Sequence, residues 1–292
     1  MNYSFPHYLL AKQSVDDRAL NKDVFKALQA NLPQKPIRII EVGAGIGTML
    51  KRLVCWNAIH QAEYVMVDNL MENAEYASEW IPLWAEETGL GVERSAKNQW
   101  RVFNSIYDIH IQFEQADVFD FIQKNKTPFD LLIAHAFLDL LPMPESLERL
   151  FMLTNHFAWL TLNFDGVTTF EPTIERTLDE KIERLYHDTM KASGGDSQSG
   201  RHLFNYLKIL KAEILAAGSS DWVVHAIDGK YPQEEAYFLQ FILHFFEESL
   251  KDCKELNEKI FSEWLKKRHE QIERGELVYV AHQLDFLAKV NP

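Results

Sequence analysis

Five groups of residues in this 292-residue chain have types and spacings that could do chemistry. The first is Glu41-Val-Gly43-Ala44-Gly45-Ile-Gly47, an acid followed by three alternating glycines. Glycine reaches positive φ without strain and has no Cβ, so a ligand can lie directly against such a turn. The second is Asp68 with Asn69. It falls about 20 residues past the glycines, where an acid accepts hydrogen bonds from ribose hydroxyls. The third is Asp117 with Val118, after an alternating apolar stretch, and the fourth is His135, Ala136 and Asp139, after a continuous apolar run. Ligands of open α/β sheets lie beyond the carboxyl ends of the strands. His135 there suits a cofactor contact or a general base, and equally a structural hydrogen bond. The fifth is His187, flanked by Tyr186 and followed by Asp196, which could line an acceptor pocket. His135, Asp139 and His187 are the candidate bases. They form no recognisable triad.

These groups need elements to position them. Ile37, Ile39, Ile40 and Val42 make a β-branched strand, and Met49, Leu50, Leu53 and Val54 share a helical stripe after the glycines. Strand, glycine turn and helix N-terminus open a nucleotide-binding βα unit. A second strand, 63–68, ends at Asp68. A helix over 70–88 is kinked or split by Pro82 and broken by Gly89 and Gly91. Strands are predicted at 100–105 and 109–115. Leu131 to Ala134 read as a parallel strand buried on both faces. A helix from Pro144 to about His156 and a strand at 157–163 complete a doubly wound sheet. Later come a charged helix (175–190), a polar loop (193–200) suited to a lid or a linker, a helix at 201–217, a strand at 222–227 and a closing strand at 276–284. The helix centred on 237–246 is apolar on most faces, so it requires burial inside the chain or against a second copy as a homodimer.

A dinucleotide fingerprint wants a glycine where Thr48 stands. The E-x-G-x-G-x-G order instead resembles motif I of the class I S-adenosylmethionine (SAM)-dependent methyltransferases. The order of parts matches that superfamily across the chain, except for insertions at about 168–200 and 229–275. The resemblance implies one domain over 1–292 with an N-terminal helical cover (1–36). It implies a Rossmann-like α/β fold: a seven-stranded doubly wound sheet with a reversed last strand and helical insertions over the active face. It implies SAM as cofactor, held by Glu41, Gly43, Ala44, Gly45, Gly47, Asp68, Asn69, Asp117, Val118, His135 and Ala136. Asp117 would take the adenine amine and Val118 the ring, with Glu114 and Asp120 as competing acids. In the cover, 16–32 reads as one helix capped by Asp16. Tyr8, Lys12 or Arg18 could reach the methionine carboxylate, although each reads singly as an ordinary surface residue.

The acids separate the cofactors. Glu41, Asp68 and Asp117 would repel a pyrophosphate but not a sulfonium bearing an ammonium group. The expected reaction is methyl transfer to an oxygen or nitrogen atom of a small molecule. The exit of the fourth strand, His-Ala-Phe-Leu, is not the Asn-Pro-Pro-Tyr type, and no run of His and Asp at metal spacing is found. The rival readings are a non-catalytic binding or assembly partner that kept the fold, and an NAD-dependent oxidoreductase. A net charge of −13 disfavours nucleic acid and anionic membrane surfaces. Cys55 and Cys253 are expected as reduced, buried thiols. With no leader-like N-terminus and no apolar stretch of membrane length, a cytoplasmic protein is expected.

Overall fold

The computed structural model describes residues 3–33 and 36–290. Three helices, α1 (Phe5–Ala11), α2 (Gln13–Ala19) and α3 (Lys22–Asn31), lead into β1 (Ile37–Val42) and α4 (Thr48–Cys55). Then come β2 (Gln61–Asp68), α5 (Met71–Glu87), β3 (Gly91–Ala96), β4 (Gln99–Phe103), β5 (Asp108–Gln115) and α6 (Val118–Lys124). They are followed by β6 (Phe129–His135), a 3₁₀ turn (Leu138–Leu140), α7 (Glu145–Phe151), β7 (Thr154–Glu171), α8 (Arg176–Ala192) and α9 (Ser199–Ile209). The chain closes with β8 (Glu213–Ser219), β9 (Trp222–Val224), α10 (Glu235–Leu250), α11 (Glu258–Glu273) and β10 (Val278–Lys289).

The strands form one sheet in the order β3-β4-β5-β2-β1-β6-β7-β10-β8, with β9 paired to β10. β5, β2, β1, β6 and β7 are parallel, and β10 runs antiparallel between β7 and β8. Seven central strands with a reversed last one are the expected arrangement; β3 and β4 extend one edge. Side chains alternate between faces along a strand. Ile39, Leu131 and Ile133 therefore enter one core layer while Ile40, Val42, Leu132 and Ala134 enter the other. Glu41 shares the face of Ile39, so the acid of the motif points into a core layer.

The structure corrects several expected elements. The helix read over 16–32 is two helices. The chain is extended at Leu20 and Asn21, where Asn21 caps α3 by accepting from the Asp23 and Val24 amides. Asp16 is not a cap but a fully buried residue inside α2. α5 runs unbroken through Pro82. β3, which begins at Gly91, was not anticipated. The fifth strand does not stop near Gly166. β7 continues to Glu171 because β10 pairs with it there, Tyr279 opposite Phe170 and Val280 opposite Thr169. The stretch read as the end of a helix at 201–217 is partly β8, and Gly218 lets that strand pass against Asn21, whose Nδ2 lies 2.3 Å from where a Cβ would stand. The strand read at 222–227 is only β9. Cys55 is exposed rather than buried.

α10 answers the demand of its apolar surface inside the chain. Phe238, Leu239, Phe241, Ile242, Leu243 and Phe246 are buried, and the helix packs against α1, α8 and α11. A second copy is not needed to cover it. The 193–200 loop is also packed. Ser197, Ser199 and Gly200 are buried, and the Asp196 amide donates to the Asp139 carbonyl at 2.9 Å. Among the described residues, no helix is long and apolar enough to cross a membrane.

Candidate active site

β1 and β6 are neighbours in the sheet but lead to opposite sides of the topological switch point, where crevices of this architecture form. A cleft of about 320 Å³ opens there. Its wall includes Glu41, Gly43, Ala44 and Gly45 at the end of β1, Asp68 and Asn69 at the end of β2, and Asp117 and Val118 after β5. His135 and Ala136 after β6 and Phe5, Leu9 and Lys12 of α1 complete it. Ten of the eleven residues expected on the cofactor therefore share one cleft. Gly47 does not. A Cβ there would stand 2.9 Å from the Met66 sulfur and 3.1 Å from Ile81, so this glycine serves the packing of α4 and α5.

The first two glycines also do something the sequence did not show. Gly43 has φ 63°, and its missing Cβ would lie 2.3 Å from the Phe137 ring. Gly45 has φ 54°, and its missing Cβ would lie 2.8 Å from Leu9 Cδ1. Side chains from the segment after β6 and from the N-terminal cover thus lean over the bare turn.

Each acid has a defined setting. Asp68 accepts from the Gly45 amide at 2.8 Å, the Leu70 amide at 2.9 Å and Asn73 Nδ2 at 3.1 Å, which ties the glycine turn to the end of β2. Glu41 is buried and accepts from the Tyr64 hydroxyl at 2.8 Å. Burial pushes its carboxyl up to about 8, against the pull of Tyr64 and Arg52. Asp117 caps α6, accepting from the Phe119 and Asp120 amides through one oxygen. Of the three acids considered for the adenine end, only Asp117 is on the cleft wall; Glu114 is engaged by Gln112 on β5.

Behind the cleft lies a charge cluster that sequence reasoning missed. Asp16 Oδ2 meets Lys12 Nζ at 3.3 Å, Arg52 Nη2 at 3.2 Å and His135 Nε2 at 3.1 Å, while its Oδ1 accepts from Trp222 Nε1 at 2.9 Å. Arg52 is buried and also bonds Asp17. The available signal was Arg52 itself, a cation next to the apolar stripe of α4. Its burial required an acid, and the N-terminal cover supplies two. His135 Nδ1 lies 2.8 Å from Thr161 Oγ1, so both ring nitrogens are committed. Burial holds His135 down to about 4, with Asp16 opposing. The ring links the cover to the sheet.

The other two candidate bases are not on the cleft wall. Asp139 follows it on the 3₁₀ turn, where its Oδ1 is buried without a hydrogen-bond partner and burial pushes its carboxyl up to about 6. His187 sits in a separate groove with Arg184 and Asp188, 2.9 Å from Thr168 Oγ1, held down to about 4 by burial. Asp196 accepts from His202 Nδ1 at 2.7 Å, and Tyr186 stacks on Phe246 at 3.9 Å between ring centres. The expected acceptor trio of Tyr186, His187 and Asp196 is thus dispersed. Arg18 is paired with Glu235 of α10, which leaves Lys12 as the cover's cation on the cleft wall.

No protein-family model matches the sequence, and no curated protein matches it. Among solved structures, a proposed methyltransferase from Bacillus halodurans C-125 is similar at a TM-score of 0.50 and 10% identity, over 93% of this chain and 100% of that one. The chain has the class I methyltransferase fold. A SAM-dependent methyltransferase from Thiobacillus denitrificans, solved with S-adenosyl-L-homocysteine, is similar over 100% of both chains at a TM-score of 0.48 and 11% identity. Within the class I fold of this chain, β5-β2-β1-β6-β7-β10-β8 is the core, β3 and β4 widen one edge, and α1, α8, α10 and α11 form a helical layer above the carboxyl ends.

Proposed function

We propose that the protein is a SAM-dependent methyltransferase acting on an oxygen or nitrogen atom of a small molecule. One observation carries this reading: a single cleft joins a buried acid beside the glycine turn, a strand-end Asp-Asn pair, and a third acid followed by two apolar residues. The donor set fits a cationic nucleoside. Glu41 suits an ammonium group, which would draw the carboxyl toward its ionised form. Asp68 and Asn69 suit ribose hydroxyls. Asp117 keeps one carboxylate oxygen outside its capping bonds, and Val118 and Phe119 offer apolar surface for a base. A pyrophosphate would meet three acids here, and the charge of Lys12 is already answered by Asp16.

When bound, the sulfonium supplies an electrophilic methyl group. The chain's own residues align and exclude water: Phe5 and Leu9 cover the cleft, and the Asp16 cluster anchors the helices that carry them. Isothermal titration with SAM, S-adenosylhomocysteine and NAD⁺ tests the reading. The two sulfur nucleosides should bind at micromolar concentration and NAD⁺ should not. Tighter binding of NAD⁺ would overturn it. Methyl-labelled SAM offered with a metabolite library separates an enzyme from a non-catalytic partner.

A further inference from the structure

Three phenols and one carboxyl stand together beside the cleft, with Tyr8 and Tyr279 buried and Tyr186 half-buried. Tyr8 of α1, Tyr186 of α8 and Tyr279 of β10 have hydroxyls that bond no group among the described residues, and Asp139 Oδ1 is buried and equally unpartnered. Their rings are linked through shared neighbours. Tyr8 and Tyr279 both lie against Phe238, at 5.8 and 6.2 Å, while Tyr186 stacks on Phe246, which meets Phe170 beside Tyr279. The four groups are also close enough to feel one another's charge, Tyr8 sensing Tyr279, Tyr186 and Asp139. Buried polar groups are normally satisfied, so the buried, unpartnered Asp139 Oδ1 beside three phenols with unbonded hydroxyls marks a ligand's position rather than a packing core. The cluster borders the cleft: Leu9 and Lys12 beside Tyr8, and Leu140 and Leu141 after Asp139, are all on the cleft wall.

We propose that Tyr8, Tyr186, Tyr279 and Asp139 form the acceptor site, and that the acceptor is a primary or secondary amine. The inference rests on the methyl-transfer reading above. A carboxylate or phosphate acceptor would face the like charge of Asp139 at low dielectric. An alcohol would need a far stronger base than a carboxylate. An ammonium ion matches it: Asp139 takes one proton, and the freed lone pair forms the new N–C bond. The C–S bond breaks with its electron pair going to sulfur, so the sulfonium donor becomes a neutral thioether and the amine a methylated ammonium. The faces of Tyr186 and Tyr279 suit that cation. Burial places the Asp139 carboxyl near 6, between the ordinary carboxylate and amine ranges.

The test is titration of benzylamine, phenethylamine and tyramine, each against its matched alcohol, into the complex with S-adenosylhomocysteine. At least one amine should bind tenfold or more tightly than its alcohol. Asp139→Asn should weaken that amine at least tenfold while nucleoside affinity stays within twofold. With labelled SAM the same amine should become N-methylated, about a hundredfold more slowly in the variant. Tyr186→Phe and Tyr279→Phe, which remove only a hydroxyl, should each weaken the amine and serve if Asp139→Asn fails to fold. Nucleoside binding with no amine bound, equal binding of the alcohols, or full amine affinity in Asp139→Asn overturns the proposal. Failure of the nucleoside to bind removes the methyl-transfer reading first, and this inference with it.

Discussion

Replacing Asp16 by Asn should be among the most damaging changes outside the cleft wall. The carboxylate is fully buried and answers four donors, from Lys12, Arg52, His135 and Trp222. An amide at this position keeps one acceptor oxygen, turns an N–H₂ toward the donors and removes the negative charge paired with buried Lys12. Removing one partner of a buried ion pair costs about 3–5 kcal/mol, because the remaining charges stay desolvated. At about 2 °C per kcal/mol for a chain of this size, the melting temperature should fall by roughly 6–10 °C. Asp17→Asn is the control, since Asp17 also bonds Arg52 but is only half-buried; it should cost about 1 kcal/mol or less. The buried partners hold the Asp16 carboxyl below the usual carboxylate range, with desolvation opposing them. Its contribution is therefore complete above pH 4 and is lost as pH falls further. The assay is urea unfolding at pH 7 and pH 3.5 followed by tryptophan fluorescence. Equal losses for Asp16→Asn and Asp17→Asn would refute the view that this cluster fastens the cover to the sheet.

Glu41 has the opposite sign. Its folded carboxyl is raised to about 8, so the fold favours the protonated form and loses stability as pH rises from 4.5 through 8. Glu41→Gln should therefore raise the melting temperature at pH 8 while weakening S-adenosylhomocysteine. In the parent protein that affinity should rise about tenfold from pH 6.5 to 7.5 with release of one proton, which titration in buffers of different ionisation enthalpy measures. Gly43→Ala places a methyl group 2.3 Å from Phe137 at φ 63° and should cost about 1–3 kcal/mol. Adding Phe137→Ala should recover part of that loss, a coupling that denaturation of the double-mutant set reads directly. His187→Ala should leave turnover within twofold, because His187 faces its own groove and not the cleft; a hundredfold loss would restore it as a base.

The parallel core was legible because its signals are local. β-branched runs, three spaced glycines and strand-end acids are each contained in a few residues, and ten of the eleven residues expected on the cofactor share the cleft. What was not legible depends on partners far away in the chain. β7 reaches Glu171 only because β10, more than a hundred residues later, offers its backbone. β8 is a strand because it lies on β10, although its alanines read as helix. Asp16 looked like a cap since an acid at a helix start usually is one; only the buried Arg52 makes it a core residue. Asp139 and His187 were equal candidates by residue type, and burial with or without a partner is what divides them.

The pairing of β7 with β10 beyond β6 has a mechanical side. Past Thr161, the last partner of β6, these two strands continue together with β9 on the far side of β10, and α8 follows β7 while α11 leads into β10. Swinging those helices aside would mean unzipping a ladder of backbone bonds. The short amino-terminal helices have no such ladder; side chains alone moor them. Loosening the cover would therefore ask for fewer broken contacts than unzipping the strands, and the charge cluster around Asp16 is the densest of those moorings.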